Sequence, residues 1–258
     1  MRFVPIFFGF ALLFGWAGES YRAAGSRLMA GVFIYAALAE VFTGLLYWGN
    51  SSWEVNPGPM FKTREGKLRL AGHLLIWPYF GFEYALWRLY CWRGAEPHFE
   101  EVRPGLFISA RIGENEVPAL AAAGINAVLD LVAEFPCPKG LYQNPAVSYR
   151  SLPVLDGNTL TQEELASAAA YVTGALAEGR KVLVHCTFGH GRSAAVVAAV
   201  LLELGEARDP GHARRLLYKL QRRILLSDEQ KRVLVNFFID LVSRENQAQG
   251  PGAMIIKE

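Results

Sequence analysis

The chain has 258 residues, of which 52% are hydrophobic and 19% charged, and its formal net charge is +2. A soluble domain carries about 25% charged residues. The composition therefore excludes a disordered chain, and the small net charge excludes a nucleic-acid binder acting through bulk electrostatics. Three cysteines exclude a disulfide scaffold.

The apolar excess lies at the start. Residues 1–98 carry nine Lys+Arg and six Asp+Glu, against 17 and 18 in the remainder. Phe3–Ala17 has no charged side chain, and Leu28–Trp48 has only Glu40. Leu70–Cys91 contains His73, Glu83, Arg88 and Pro78. At about 1.5 Å per residue the second stretch reaches about 32 Å and the first about 23 Å, against a hydrocarbon core of about 30 Å. No A-x-A cleavage site follows the first stretch, and a second apolar stretch comes at once, so a cleaved signal is disfavoured. Residues 1–93 are expected to form a membrane-embedded helical region with two or three spans. Lys62, Arg64, Lys67 and Arg69 favour a cytoplasmic location for the link before the third stretch. The remainder of the chain then lies on the cytoplasmic side only if Leu70–Cys91 does not cross fully. That stretch is rich in Trp and Tyr, which suits an interface. Glu40, His73 and Glu83, with Arg88, are expected to pair as an interhelical polar clasp.

Residues 94–246 read as a second unit, and 247–258 as a loose tail. Strands are predicted at Leu106–Ser109, Asn126–Val132, Ser148–Val154 and Lys181–His185. Helices are predicted at Glu114–Ala123, Thr161–Glu178, Ser193–Leu204, His212–Ile224 and Asp228–Val242. This alternation implies an α/β fold with a mainly parallel central sheet flanked by helices. In His212–Ile224 the residues Arg214, Arg215, Lys219, Arg222 and Arg223 share one half of the helical wheel. That face is either a solvated surface or one that meets anionic lipid.

The strand Lys181–His185 runs directly into Cys186-Thr187-Phe188-Gly189-His190-Gly191-Arg192-Ser193 and then into a helix. Such a turn is an oxyanion cradle. Backbone N–H groups of Thr187, Phe188, Gly189, His190 and Gly191 can converge on a phosphate at a helix N-terminus, and Arg192 can grip two of its oxygens. The same field favours a thiolate at Cys186, a nucleophile facing phosphorus.

The segment HCTFGHGRS resembles the phosphate-binding loop of the cysteine-dependent dual-specificity phosphatases, within the protein tyrosine phosphatase superfamily. With GLFISARIGENEVPALAAAGINAVLDL and SLPVLDGNT, the resemblance covers roughly residues 99–243. It is greatest to membrane-associated, lipid-phosphatase-like members such as the phosphatidylglycerophosphate phosphatase type. It implies hydrolysis of a phosphate monoester through a phosphocysteine intermediate, with no metal and no cofactor. It implies a general acid some thirty residues before the cysteine, where Asp156 stands; Asp130, inside an apolar strand, is the rival. It implies that Ser193 assists departure of the thiolate and that His185 orders the loop. His190 is a departure, since lipid-directed members often carry Lys or Arg within the loop. Arg222-Arg223 is another, where the family often has Arg-Pro. Glu134 and Cys137 lie in a loop that borders the site in the superfamily, and Cys137 is either an ordinary loop residue or a resolving thiol. Membrane lipids and a phospholipid phosphate are the expected partners. A phosphoprotein phosphatase and a catalytically inactive phosphate-binding module remain open as alternatives.

Overall fold

The computed structural model describes residues 3–94, 96–97 and 99–248; most of the expected tail, 249–258, lies outside the described residues. The first two apolar stretches form helices α1 (Val4–Ala23) and α2 (Arg27–Trp53), joined by a three-residue turn. They pack as an antiparallel hairpin. Gly18 lies against Ala30 and Ile34, Gly44 against Phe7 and Phe8, and Tyr21 stacks on Phe33 at 5.3 Å between ring centroids. Small residues at the crossing let the backbones approach, as in membrane helix pairs. Both helices are long and apolar enough to cross a membrane, and Leu12, Leu13, Trp16, Leu28 and Leu38 face outward.

The third stretch is not one helix. It divides at Ile76 into α3 (Leu70–Leu75) and α4 (Trp77–Arg93), with Pro78 in the first turn of α4. Proline has no N–H to continue α3 but fits the start of a new helix. Helix α4 lies along the rest of the protein, with Trp87 on Phe135 and Tyr90 on Phe188. The expected polar clasp does not form: among the described residues no hydrogen bond or ion pair joins Glu40, His73 and Glu83. His73 instead stacks on Phe80 at 4.1 Å, and Glu83 turns toward the site described below.

Between α2 and α3 the chain packs on the sheet. Asn56 donates to the Pro153 carbonyl at 3.0 Å, and the N–H groups of Ser151 and Cys137 donate to Arg64 and Gly66 carbonyls. Lys62 is fully buried and pairs with Asp130 at 2.6 Å.

The sheet has five strands in the order β1 (Phe99–Arg103), β2 (Leu106–Ser109), β5 (Lys181–His185), β3 (Ile125–Val132) and β4 (Ser148–Val154). All neighbours are parallel except β1, an antiparallel edge strand. Its Phe-Glu-Glu-Val-Arg sequence has too little apolar alternation to predict it. Alternate residues of the central strands pack on opposite faces. Leu129, Leu131, Val182 and Val184 meet α7 (Gln162–Ala177), α8 (Arg192–Glu203) and α10 (Asp228–Ala248). Phe107, Val128 and Leu183 meet α5 (Val117–Ala122) and α6 (Lys139–Tyr142). Helix α8 is buried from Arg192 to Leu202, and each buried Val or Leu contributes about 1.5–3 kcal/mol. Thr161, the expected start of the helix, caps α7 in a reciprocal box with Glu164.

Helix α9 (Pro210–Leu217) ends seven residues before the expected Ile224. After Leu217 the chain tightens, with Lys219 and Leu220 donating to carbonyls three residues back. The basic face therefore does not persist: Arg222 is buried, bonded to the carbonyls of Phe188 and Pro97.

Candidate active site

β5 ends at His185, and the chain turns through Cys186–Gly191 into α8. The turn closes because residue 189 is glycine. Gly189 has φ +76°, and a Cβ there would stand 2.7 Å from the Ser109 backbone, a conformation and an approach that only glycine tolerates. Cys186 is 2% exposed. Its sulfur accepts from the Gly189 N–H at 3.2 Å and lies 3.3 Å from the Ser193 hydroxyl. Neighbouring segments hold the loop from outside. The Arg111 N–H donates to Thr187, the Leu225 N–H donates to His190, and the His190 ring sits 2.9 Å from Glu96.

Arg192, 1% exposed, points under the loop. Its Nη1 reaches the carbonyls of Leu131 and Val154 and both oxygens of Glu134, the latter at 3.2 Å. Nη2 donates to Asp156 Oδ1 at 2.7 Å. Nε is buried with no hydrogen-bond partner. Burial works against the charge, but the carboxylates of Glu134 and Asp156 more than offset it, and the guanidinium is held above its ordinary value.

Glu134 is the residue whose importance the sequence understates. It accepts from Arg192, from the Thr187 hydroxyl at 2.9 Å and from the Asp156 N–H at 2.6 Å. It thus ties together the cradle, the arginine and the loop after β4. Asp156, with a third of its side chain exposed, shares with Cys186 and Arg192 a cavity of about 420 Å³ that Phe3, Phe188 and Leu225 also line.

The rival Asp130 lines no part of this cavity. It is fully buried beneath the loop, bonded to Lys62, to the Tyr149 hydroxyl at 2.8 Å and to the Val132 N–H. Burial opposes its charge, yet Lys62 and then His185 hold its carboxyl below the usual range. His185 lies 3.7 Å from Asp130, and burial lowers its pKa to about 4, so it is neutral at neutral pH. Cys137 packs on the opposite face of the sheet from Cys186. Burial pushes its thiol up to about 12, which makes it a poor resolving thiolate. Among the described residues no group of three or more His, Cys, Asp or Glu is arranged to hold a metal ion.

Glu83 of α4 was not expected near the site. It is 6% exposed, and its Oε2 has no hydrogen-bond partner. Burial, then the Asp156 and Glu134 carboxylates, push it up to about 9. Unfolded, it would titrate at about 4.3. Between those values the unfolded chain binds fewer protons than the folded one, so this group makes stability fall as pH rises. Glu83→Gln is therefore expected to raise Tm by several degrees at pH 8 and to leave it unchanged near pH 4. Thermal unfolding at the two pH values checks this, and equal Tm values at pH 8 would refute it.

The family model described as "PTP-SAK: Swiss Army Knife protein, DSP-PTPase phosphatase domain" matches residues 97–234. The chain belongs to this dual-specificity phosphatase family. Dual specificity protein phosphatase 12 of Mus musculus is 40% identical over 111 residues, 41% of this chain and 31% of that protein. Dual specificity phosphatase 28 of Mus musculus is 33% identical over 122 residues, 46% of this chain and 68% of that protein. The chain thus spans about a third of the length of some relatives it matches. Among solved structures, PTPMT1 in complex with PI(5)P has a TM-score of 0.52 at 20% identity, covering 58% of this chain and all of that one. Tk-PTP in its active form has a TM-score of 0.51 at 24% identity, covering 55% and 97%. These likenesses establish the dual-specificity phosphatase fold. The family match begins after α4, so the hairpin and the loop carrying Lys62 are additions to the matched domain.

Proposed function

We propose that the protein is a membrane-anchored, cysteine-dependent phosphatase acting on a lipid phosphate monoester. The observation that carries the lipid reading is Phe3. This residue precedes the first turn of the apolar hairpin and lines the same cavity as Cys186 and Arg192, so the cavity opens beside the membrane-type helices. A hairpin that crosses and returns leaves everything from residue 54 onward on the side of the N-terminus. Helix α4 packs against the phosphatase domain rather than continuing a span, which supports a cytoplasmic location with the Lys62–Arg69 link. The proposed division at residue 93/94 separates the two units in sequence; in space, Lys62 crosses it. The same fold in PTPMT1 accommodates PI(5)P.

The chemistry follows from the geometry. A phosphate dianion enters the cradle of backbone N–H groups from Thr187 to Arg192. It takes the Nε and Nη2 edge of Arg192 and displaces Asp156 from Nη2. The Cys186 thiolate attacks phosphorus as the ester P–O bond breaks, and Asp156 gives its proton to the departing oxygen. Water then attacks the phosphocysteine and passes a proton to Asp156. The S–P bond breaks, with the Ser193 hydroxyl stabilising the returning thiolate. Glu134 holds the surroundings through Arg192, the Thr187 hydroxyl and the Asp156 N–H. Cys186, Arg192 and Asp156 meeting in one cavity argues against an inactive phosphate-binding module.

A second reading has support in the names of the curated relatives, which are dual specificity protein phosphatases. Phosphate release by the full chain in lipid nanodiscs separates the two. Substrates are diacylglycerol phosphate and phosphatidylglycerophosphate against phosphotyrosine and phosphoserine peptides, all with a chelator present. The lipid substrates are expected to give a kcat/KM at least about tenfold higher, or about 1.4 kcal/mol of transition-state preference. Preference for a peptide would overturn the lipid reading, and no release from any substrate would overturn the enzymatic one.

A further inference from the structure

We infer that the hairpin is a working part of the active site, with Tyr47 and Asn50 of α2 acting as positioning residues for the Asp156 loop. The inference rests on the reading of Asp156 as the general acid. Helix α2 has 27 residues, about 40 Å at 1.5 Å per residue, so about 10 Å of it exceeds a hydrocarbon core. Tyr47 and Asn50 stand in that projecting end.

The loop from Asp156 to Thr159 has little regular structure of its own, and its backbone is held by side chains. The Tyr47 hydroxyl donates to the Asp156 carbonyl and is hydrogen-bonded to the Tyr79 hydroxyl at 3.1 Å. Asn50 brackets Thr159 from both sides. Its Nδ2 donates to the Thr159 carbonyl at 3.0 Å, and its Oδ1 accepts from the Thr159 N–H at 3.0 Å. Among the described residues the other side chains bonded to this backbone are Glu134 on the Asp156 N–H and Gln230 on the Asn158 carbonyl, beside one turn bond from the Asn158 N–H to the Leu155 carbonyl. Three of these five side-chain bonds therefore come from α2. The hairpin also closes on the turn itself. Gly157 has φ +76°, and a Cβ there would stand 2.8 Å from the Phe3 ring, so glycine is what lets α1 reach the loop.

This arrangement bears on catalysis because Asp156 must leave Arg192 and face the departing oxygen. Displacements of about 1 Å in such a group can cost about 10²-fold in rate. The seat of the hairpin thus sets the aim of the acid, and the part of the chain that meets the bilayer is bonded directly to the part that moves the proton.

The test uses the full chain in nanodiscs, with Tyr47→Phe and Asn50→Ala made alone and together with Asp156→Asn. Turnover is measured on an alkyl phosphate and on nitrophenyl phosphate, whose phenolate needs little protonation, and binding is measured with inorganic phosphate. Each variant is expected to lower kcat on the alkyl phosphate about 10- to 100-fold, with a smaller loss on the aryl substrate. KM and phosphate affinity should stay within about twofold, and no further loss should appear in the Asp156→Asn background. Unchanged alkyl turnover overturns the inference. Equal losses on both substrates, or losses that multiply with Asp156→Asn, also overturn it, because a merely structural role would give them. Should Asn50→Ala fail to fold, Tyr47→Phe decides the matter, since it removes one oxygen and keeps the ring packed on Phe7. If Asp156→Asn itself leaves the alkyl rate untouched, the acid assignment fails first, which is a separate result.

Discussion

Replacing Cys186 with serine is expected to lower turnover by about 10⁴-fold or more while leaving inorganic phosphate binding nearly intact. Loss of a nucleophile removes the covalent route altogether, and effects of that order accompany it in other enzymes. Binding survives for a different reason. The cradle consists of backbone N–H groups and Arg192, and neither depends on sulfur. The Gly189 N–H and Ser193 hydroxyl that meet the sulfur at 3.2 and 3.3 Å can serve a serine oxygen as well. Calorimetric titration with phosphate, beside turnover on the preferred substrate, checks both halves. Turnover above a few per cent of the parent would sink the nucleophile assignment, and loss of phosphate binding would show that the thiolate shapes the cradle.

Arg192→Lys is expected to lose both activity and stability. For activity, an ammonium cannot reproduce the planar edge formed by Nε and Nη2. Removing one preorganised donor from an oxyanion site costs about 10²–10³-fold. For stability, Nη1 serves the carbonyls of Leu131 and Val154 and the Glu134 carboxylate at once. A lysine cannot reach all three while also reaching the phosphate. Glu134 is 4% exposed, so an incompletely paired carboxylate would stay in the interior; breaking a buried pair outright costs about 3–5 kcal/mol. Kinetics and thermal unfolding of one preparation test the two effects separately. A variant with parental Tm and lost activity would show that Glu134 finds its compensation elsewhere.

How much of this was legible beforehand depends on how local each feature is. The run from Lys181 to Ser193 could be read because strand, glycine-closed loop, cysteine and arginine must be contiguous for the cradle to form. Asp156 was marked by the resemblance, which implies an acid some thirty residues before the cysteine, and it shares the cavity with Cys186 and Arg192. Thr161 stood at the start of a predicted helix as a capping hydroxyl with acids in the first turn. The resemblance put Glu134 in a loop bordering the site but gave it no role, because its value comes from meeting Arg192, 58 residues away. Lys62 looked like a topogenic charge beside a membrane stretch, and its burial against Asp130 depends on a loop folding back over the sheet. Glu83 looked like a clasp residue because an acid within an apolar stretch signals the need for a partner, not which partner it meets. The shortened α9 depends on contacts that periodicity does not register: beyond its end, Arg222 is buried and bonded to the carbonyls of Phe188 and Pro97.

The buried pair between Lys62 and Asp130 bears on how this protein can be recombined. The matched domain begins at residue 97, which invites moving that block onto another anchor. Such a graft would strip Asp130 of its paired cation and of the segment that covers it, and His185, neutral at neutral pH, could not stand in for Lys62. It would also strip the partners of the Ser151 and Cys137 N–H groups. Any chimera must therefore carry at least the segment from Asn56 that looks like a linker.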